Sequence, residues 1–302
     1  MKKMFLTLLL TVMATAGMNA QLLYKISGKG LRKTSYIIGT YHLAPVSFVD
    51  SIPGLRGALA ESEQVYGEIE TADMTSPENI AKMQQAMMLP EGKTLTELLT
   101  PGQMQKLNAT MRELLGVDMS NPMVAQQMNK MLPQALVTQL TVIMYLKKHS
   151  GFNPTQSFDD YFQQQAVAQG KPVGGFETMD FQLQALFGSI SIERQIELLM
   201  CFLNNREWEE SQVDNIVEAF FAQDLNRIEA AMDEKQDNSC DATDEENELL
   251  IYGRNATWLK KMPEIMQQKS TFFAVGAAHL VGERGVLAGL RNAGYLVEGI
   301  NH

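Results

Sequence analysis

Short apolar runs near the two ends of the chain alternate with turn signals, whereas the long middle region shows helical spacing. Residues 22–26 and 35–38 are mostly apolar and flank a glycine-rich turn at residues 28–30, a pattern that predicts a β-hairpin. Four further runs read as strands and lie at residues 64–69, 171–176, 273–276 and 295–300. Sheet elements are therefore predicted at both ends of the chain and once in the middle.

Helical spacing dominates residues 76–170, where the strand pattern disappears. Pro101 and Pro122 each stand at the first position of a predicted helix, where a missing N–H costs nothing, and the second helix is predicted to extend to Lys148. A second helical stretch is predicted over residues 178–235. Because long helical segments separate the strands, the pattern predicts an α/β fold with a central mixed sheet and large helical insertions.

The organisation predicted from this pattern is a single α/β domain over residues 21–302, with a helical insertion at about residues 76–170. The insertion is expected to flank the cleft without supplying its core ligands. Half of the 20 methionines lie between Met83 and Met144. Methionine fills irregular cores and also lines adaptable binding surfaces, and we favour core packing here.

The first twenty residues resemble a secretory signal. Two lysines precede an apolar stretch at residues 4–13, which is too short to span a bilayer comfortably, and cleavage is predicted near Ala16 or Ala20. The alternative is an uncleaved N-terminal anchor. No later run approaches transmembrane length, so we expect a periplasmic or secreted protein with no stable membrane span after cleavage.

The net charge limits the classes of binding partner, and the two cysteines raise the question of a disulfide. The formal net charge of −10 disfavours nucleic acid as a partner, and no glycine-rich phosphate loop or Gly-x-Ser-x-Gly elbow occurs. Cys201 lies in a helical apolar run, whereas Cys240 lies in an acidic run at residues 233–248 that is predicted to be a solvated loop. Export permits a disulfide between them, but the sequence leaves their pairing open, and it leaves the oligomeric state open too.

One pattern occurs twice, near the two ends of the chain. Residues 36–43 and 273–280 each consist of an apolar run followed by Gly-x-x-His-Leu, and they contain His42 and His279, two of only four histidines. Glycine at the end of a strand lets the backbone turn sharply, and open α/β sheets bind ligands at the carboxyl edge of their strands. We therefore expect the two imidazoles to share a metal or catalytic site.

Carboxylates and an arginine are the other candidates. Glu68 and Glu70 end a predicted strand, and residues two apart on a strand face the same side, so both carboxylates are expected near the histidines. Glu177 follows the middle strand. It is expected either to take part in the candidate site or to cap the helix that begins after it. Arg254 offers a guanidinium fork for a carboxylate or a developing oxyanion, or else lies on a surface helix.

These motifs together resemble those of the TraB/PrgY/GumN family, which is related to the TIKI proteases. The resemblance covers most of the chain and rests on residues 39–43, 50–56, the strand of Glu68, and residues 157–162, 170–178, 254–258 and 275–283. It implies a core like that of ChaN and the erythromycin esterases. It further implies a divalent metal, manganese or cobalt before zinc, held by His42, His279 and Glu68, with Glu177 and Arg254 at further family positions.

The function expected from this resemblance is metal-dependent hydrolysis, with a peptide or protein as substrate. Glu68 would be a ligand or the general base, and Arg254 would stabilise the oxyanion. One alternative is a non-catalytic protein that binds a peptide, a metal or a haem-like ligand. Another is metal-independent, esterase-like catalysis with a histidine as base.

Overall fold

The central feature of the fold is a mixed six-stranded sheet. The computed structural model describes residues 21–149 and 157–300, so the predicted signal sequence lies outside the described residues. The strands are β1 Leu23–Ser27, β2 Ser35–Thr40, β3 Gln64–Gly67, β4 Val173–Gly175, β5 Thr271–Gly276 and β6 Leu296–Gly299. Their order in the sheet is β4-β3-β5-β2-β1-β6. The predicted α/β class is confirmed at this level, and the likeness to ChaN and the erythromycin esterases stays a prediction.

Helices occupy most of the remaining described chain. They are α1 Leu55–Glu61, α2 Thr71–Met74, α3 Pro77–Ala86, α4 Leu95–Leu98, α5 Pro101–Leu115, α6 Pro122–Met128, α7 Pro133–Lys148, α8 Phe158–Ala168, α9 Met179–Leu183, α10 Ile192–Asn204, α11 Arg206–Phe221, α12 Leu225–Asp233, α13 Asp244–Asn247, α14 Gly253–Gln268 and α15 Val286–Asn292. A π-helical turn, Gln184–Gly188, follows α9, and a second one, Glu248–Tyr252, directly precedes α14. No helix in the described ranges is both long and apolar enough to cross a membrane.

The two halves of the sheet differ in strand direction. β1 pairs antiparallel with β2 and β6, as the predicted hairpin requires, whereas β2, β5, β3 and β4 pair in parallel. β2 and β5 are neighbours at the centre, and β2 is buried throughout while only Gly276 of β5 is not. Burial on both faces explains why these strands read as continuous apolar runs. The carboxyl ends of the parallel strands meet at one edge.

Two hydrophobic clusters hold the elements together. One surrounds the sheet and includes the fully buried Trp258, Phe272 and Phe273. The other is formed by α5, α7 and α10, among other elements, and contains Met111 and Met144. Some methionines of the middle region therefore pack in a core, whereas others line a cavity described below.

Proline and strand pairing correct two predicted boundaries. The helix predicted to run from Pro122 to Lys148 is two helices, because Pro133 begins the second and holds Leu132 in an extended conformation. The strand predicted over residues 64–69 ends at Gly67, whose partner Gly175 is the last residue of β4. Beyond that point two backbone hydrogen bonds, from Phe176 to Gly67 and from Glu177 to Glu68, still join the two segments, but neither segment continues as a strand.

The acidic run at residues 233–248 is more ordered than predicted. It contains α13, which begins with a capping box between Thr243 and Glu246. Cys240 forms a disulfide with Cys201 of α10, with Cα atoms 5.6 Å apart. Arg194 of α10 also donates to both carboxylate oxygens of Glu246. The open question of cysteine pairing is thereby answered, and the run is fastened to α10.

Candidate functional site

The repeated motif brings its two copies side by side, displaced by one residue. Gly39 pairs with Val275 and Thr40 pairs with Gly276 across the parallel strands β2 and β5. Neither motif glycine has a positive φ, so the expected sharp turn is not the reason for glycine. A Cβ on Gly39 would lie 3.1 Å from Ala277, which is tighter than ordinary contact. Glycine is needed here because the two motifs approach closely.

His279 lies on a 3-10 turn, Ala277–His279, that folds back after β5 and buries the imidazole. Its Nδ1 lies 2.7 Å from Oδ1 of Asn255, whose amide nitrogen donates to the carbonyls of His279 and Arg284. Since that amide nitrogen already donates, the Asn255 oxygen accepts and Nδ1 of His279 carries the proton. Nε2 is then the lone-pair nitrogen. Burial lowers the pKa of His279 to about 4, so the imidazole is neutral at pH 7.

Arg254 uses every N–H of its guanidinium. Nε and Nη2 donate to the two oxygens of Glu177 at 2.9 Å, and Nη2 also donates to Oε2 of Glu68. Nη1 donates to the carbonyl of Leu250 at 3.0 Å and faces Nε2 of His279 at 3.2 Å. The preceding π-helical turn supplies Leu250. With five donors committed, Arg254 orients its neighbours, and no N–H remains for the developing oxyanion we expected it to stabilise.

Glu68 is the carboxylate nearest to His279. Its Oε1 accepts from the Gly276 backbone N–H at 2.9 Å and lies 3.8 Å from Nε2 of His279, while Oε2 accepts from Gln182 at 3.1 Å. Burial alone would raise the pKa of Glu68, but the positive charges of Arg254 and His42 and the hydrogen bond from the Gly276 N–H lower it below its ordinary value. Glu68 is therefore an ionised carboxylate at neutral pH.

The other two carboxylates predicted for the site have different surroundings. Glu177 is 3% exposed and is held by Arg254 and by the indole N–H of Trp258 at 2.8 Å. It is thus a buried counter-ion. Glu70 stands at the N-cap position of α2. Because β3 ends at Gly67, the strand alternation that would aim Glu70 with Glu68 does not extend that far.

His42 has a partner that the sequence analysis did not identify. Its Nδ1 lies 2.9 Å from Oδ2 of Asp159, and the other oxygen of Asp159 accepts from the Thr40 hydroxyl. Asp159 lies in the first turn of α8, inside the predicted insertion, and contacts His42 without being one of the three predicted ligands. The Asp159 charge raises the pKa of His42 to about 9, which favours an imidazolium in the metal-free protein.

The two histidines differ in exposure although they line one cavity. The side chain of His42 is 76% exposed and that of His279 is 5% exposed. This site cavity, of about 250 Å³, also contains Glu68 and Arg254. The difference follows from the backbone, because His279 sits on a turn packed against Trp258, with ring centroids 4.4 Å apart, whereas His42 faces the open cleft.

The donors suit a divalent cation in chemical type. Within residues 21–149 and 157–300 no three His, Cys, Asp or Glu side chains stand close enough to hold an ion. Each imidazole nevertheless has Nδ1 fixed by an oxygen, Asp159 for His42 and Asn255 for His279. Metal-binding histidines have such a second partner, which directs the other nitrogen to the ion. Two Nε2 atoms and the carboxylate of Glu68 form a set that leaves positions for water.

Asp159→Asn tests the His42 pair. We expect the pKa of His42 to fall towards its ordinary value, because the substitution removes the negative charge that raises it. The hydrolytic activity expected from the sequence should fall roughly 10-fold to 100-fold, as when the group that orients a metal-binding histidine is removed. An NMR titration of the His42 ring measures the first effect, and Asp160→Asn is the control, in which a smaller fall is expected because the Asp160 charge contributes least to the raised pKa. An unchanged His42 pKa would show that the pair does not form.

The lowered pKa of His279 predicts how the stability of the metal-free protein depends on pH. Its pKa is about 4 when folded and about 6.5 when unfolded, so the unfolded chain binds more protons between those values. The contribution of His279 to the unfolding free energy is then fully present above pH 6.5. It falls by on the order of 3 kcal/mol as the pH drops from 6.5 to below 4. Urea unfolding at both ends of this range measures the fall. His279→Gln should reduce the fall by that amount, and an identical fall in both proteins would refute the assignment.

Asp159, Asn255 and Gln182 complete the site, and Asn255 directly follows the predicted Arg254 in the 254–258 segment of the family resemblance. Asp159 lies in the 157–162 segment that carries part of the family resemblance, which was its one signal. Gln182, which donates to Glu68, had no signal, because a glutamine on a helix is ordinarily a solvated residue.

Comparison with known proteins gives one family and several relatives. The family described as TraB/PrgY/gumN matches residues 22–299. Metalloprotease TIKI1 of Danio rerio is 25% identical over 308 residues, and metalloprotease TIKI2 of the same organism is 26% identical over 305. These matches cover 87% of this chain and 60% and 58% of the relatives. Metalloprotease TIKI1 of Xenopus tropicalis is 25% identical over 302 residues, covering 86% of this chain and 58% of that protein. The chain thus spans about three fifths of the length of these relatives.

Proposed function

The chain belongs to the TraB/PrgY/gumN family, and from this membership we propose that it is a metal-dependent hydrolase that cleaves peptide bonds outside the cytoplasm. The observation that carries the proposal is the ionised Glu68 beside the lone-pair nitrogen of His279. Oε1 of Glu68 lies 3.8 Å from Nε2 of His279, on the wall of the cavity that His42 also lines.

In this proposal His42, His279 and Glu68 hold the divalent cation, manganese or cobalt before zinc. When bound, such a cation lowers the pKa of a bound water and polarises the scissile carbonyl. His42 must lose a proton before Nε2 can act as a ligand, so affinity for the cation rises with pH. Asp159 keeps the His42 ring oriented through that change because it holds Nδ1.

Arg254 and Glu177 fix the orientation of the Glu68 carboxylate. The guanidinium holds Oε2 of Glu68 and is itself held by both oxygens of the buried Glu177. Oε1 of Glu68, with one donor from Gly276, is then the oxygen free to bind the cation or accept a proton from water. We propose that Arg254 and Glu177 are positioning residues, and that Glu70 has no direct role.

Turnover of a peptide library with and without a chelator tests the proposal. We expect cleavage by the purified protein, loss of cleavage after chelation, and recovery when Mn²⁺ or Co²⁺ is restored. Binding of peptides without cleavage under any of these conditions would instead establish a binding protein. A peptide or protein substrate is proposed because the similar proteins are named metalloproteases.

A second candidate, metal-independent hydrolysis, is favoured by one contact. Arg254 Nη1 faces Nε2 of His279 at 3.2 Å and occupies the direction from which a cation would be bound. In that case Nε2 of His42 would take the proton from water above the His42 pKa of about 9, where the imidazole is neutral and Asp159 holds its Nδ1. Activity that survives complete removal of metal would select this candidate.

A further inference from the structure

A second cavity opens from the candidate site. Its volume is about 470 Å³, within the usual range of small-ligand pockets. It shares His42 and Glu68 with the site cavity, so a molecule at the candidate centre could extend into it. Away from these two residues the cavity passes between α3 and the π-helical turn that follows α9.

Large apolar side chains form the far wall of this cavity. We call Met74, Met83, Met87 and Leu186 the methionine wall. Met74 is 41% exposed, Met83 is 36% exposed and Leu186 is 44% exposed. Three such side chains open to water in one concave surface leave apolar area that a ligand would bury favourably. Unbranched methionine side chains adapt to apolar groups of different shape.

Charge further limits what this cavity accepts. Glu68, Asp159 and Asp160 line it at the site end, and no lysine or arginine is among the described residues that line it. An acidic group would therefore meet three carboxylates, and the cationic His42 on the lining is already paired with Asp159, whereas an apolar group gains by burial. The cavity favours apolar over acidic ligands for two independent reasons.

We propose that the methionine wall binds one large apolar side chain of the peptide substrate, next to the scissile bond, and thereby sets the sequence preference of cleavage. This inference rests on the proposed function, because it assumes that a peptide occupies the site cavity. The continuity of the two cavities at His42 and Glu68 argues for a substrate side chain rather than a separate ligand.

Paired peptides test the proposal by binding as well as by turnover. Labelled hexapeptides that carry leucine or aspartate at a single position are titrated onto the full protein in chelator, with anisotropy as the readout. We expect at least one position at which leucine binds roughly 10-fold to 100-fold tighter than aspartate. The same position should control cleavage when metal is present.

Met83→Lys identifies the wall as the source of the preference. A cation in the wall favours the acidic peptide, so we expect the leucine preference at that position to fall at least tenfold. Met123→Lys is the matched control, because Met123 is 77% exposed on α6 and does not line the cavity. Leu186→Lys repeats the test on a different element in case Met83→Lys unfolds, and thermal melts verify folding of each variant.

The possible failures are distinguishable. If folded Met83→Lys and Leu186→Lys both keep the wild-type preference, or if wild type has no preference, the wall does not bind the side chain and this proposal is overturned. Cleavage without a preference would leave the proposed function standing. A preference in binding without any cleavage would support the wall and overturn the proposed hydrolase.

Discussion

Arg254→Met should lower the unfolding free energy by about 3–5 kcal/mol, the cost expected when one partner of a buried ion pair is removed. The guanidinium is the shared counter-ion of Glu68 and Glu177, whose side chains are 15% and 3% exposed. Methionine fills much of the same volume but leaves both carboxylates without their charged partner. Desolvation then acts on two negative charges that repel each other.

Urea unfolding of the wild type and the variant measures this effect. Arg227→Met is the matched control, because Arg227 pairs with Glu218 on the surface with 48% and 69% of the side chains exposed. Such exposed pairs contribute about 0–1 kcal/mol. Arg254→Lys should fall between the two variants, since an ammonium cannot reproduce the fork of five N–H groups. A cost for Arg254→Met no larger than the control would contradict the central position we assign to Arg254.

Glu68→Gln should reduce peptide hydrolysis roughly 10²–10⁴-fold if Glu68 is the general base. Both oxygens of Glu68 accept hydrogen bonds, Oε1 from Gly276 and Oε2 from Arg254 and Gln182. The amide NH₂ of glutamine must therefore face a donor, so we also expect a stability cost of about 1–3 kcal/mol. Activity is compared at a temperature at which both proteins are folded.

Metal content separates the two roles of Glu68. A general base leaves metal content unchanged when activity falls, whereas a ligand loses metal and activity together. Glu70→Gln provides the control, because Glu70 lies two residues away at the start of α2, and its activity should stay within a few-fold of wild type. If Glu68→Gln hydrolyses peptides as fast as Glu70→Gln, the carboxylate beside His279 is not part of the catalyst.

The repeated motif predicted the most informative feature of the structure. Two apolar strands that end alike were expected to meet at one edge of the sheet, and β2 and β5 are indeed neighbours in parallel pairing. The displacement by one residue was not predictable, because it depends on how Gly39 packs against Ala277.

The limits of the sequence are clearest at His42. Its partner Asp159 is 117 residues away, and α8 must dock on the sheet before the two side chains meet. No local spacing encodes such a contact. Glu70 illustrates the opposite error, in which a local rule was applied too far, since β3 ends at Gly67 and Glu70 already stands at the N-cap of α2.

The most direct test of the account is calorimetric titration of Mn²⁺ into the metal-free wild type beside His42→Ala and His279→Ala. We predict saturable binding at neutral pH in the wild type and weakening by at least tenfold in each variant, because both copies of the repeated motif contribute a ligand to one ion. Binding of equal strength in all three proteins, or no binding in the wild type, would contradict the claim that His42, His279 and Glu68 form a shared metal site.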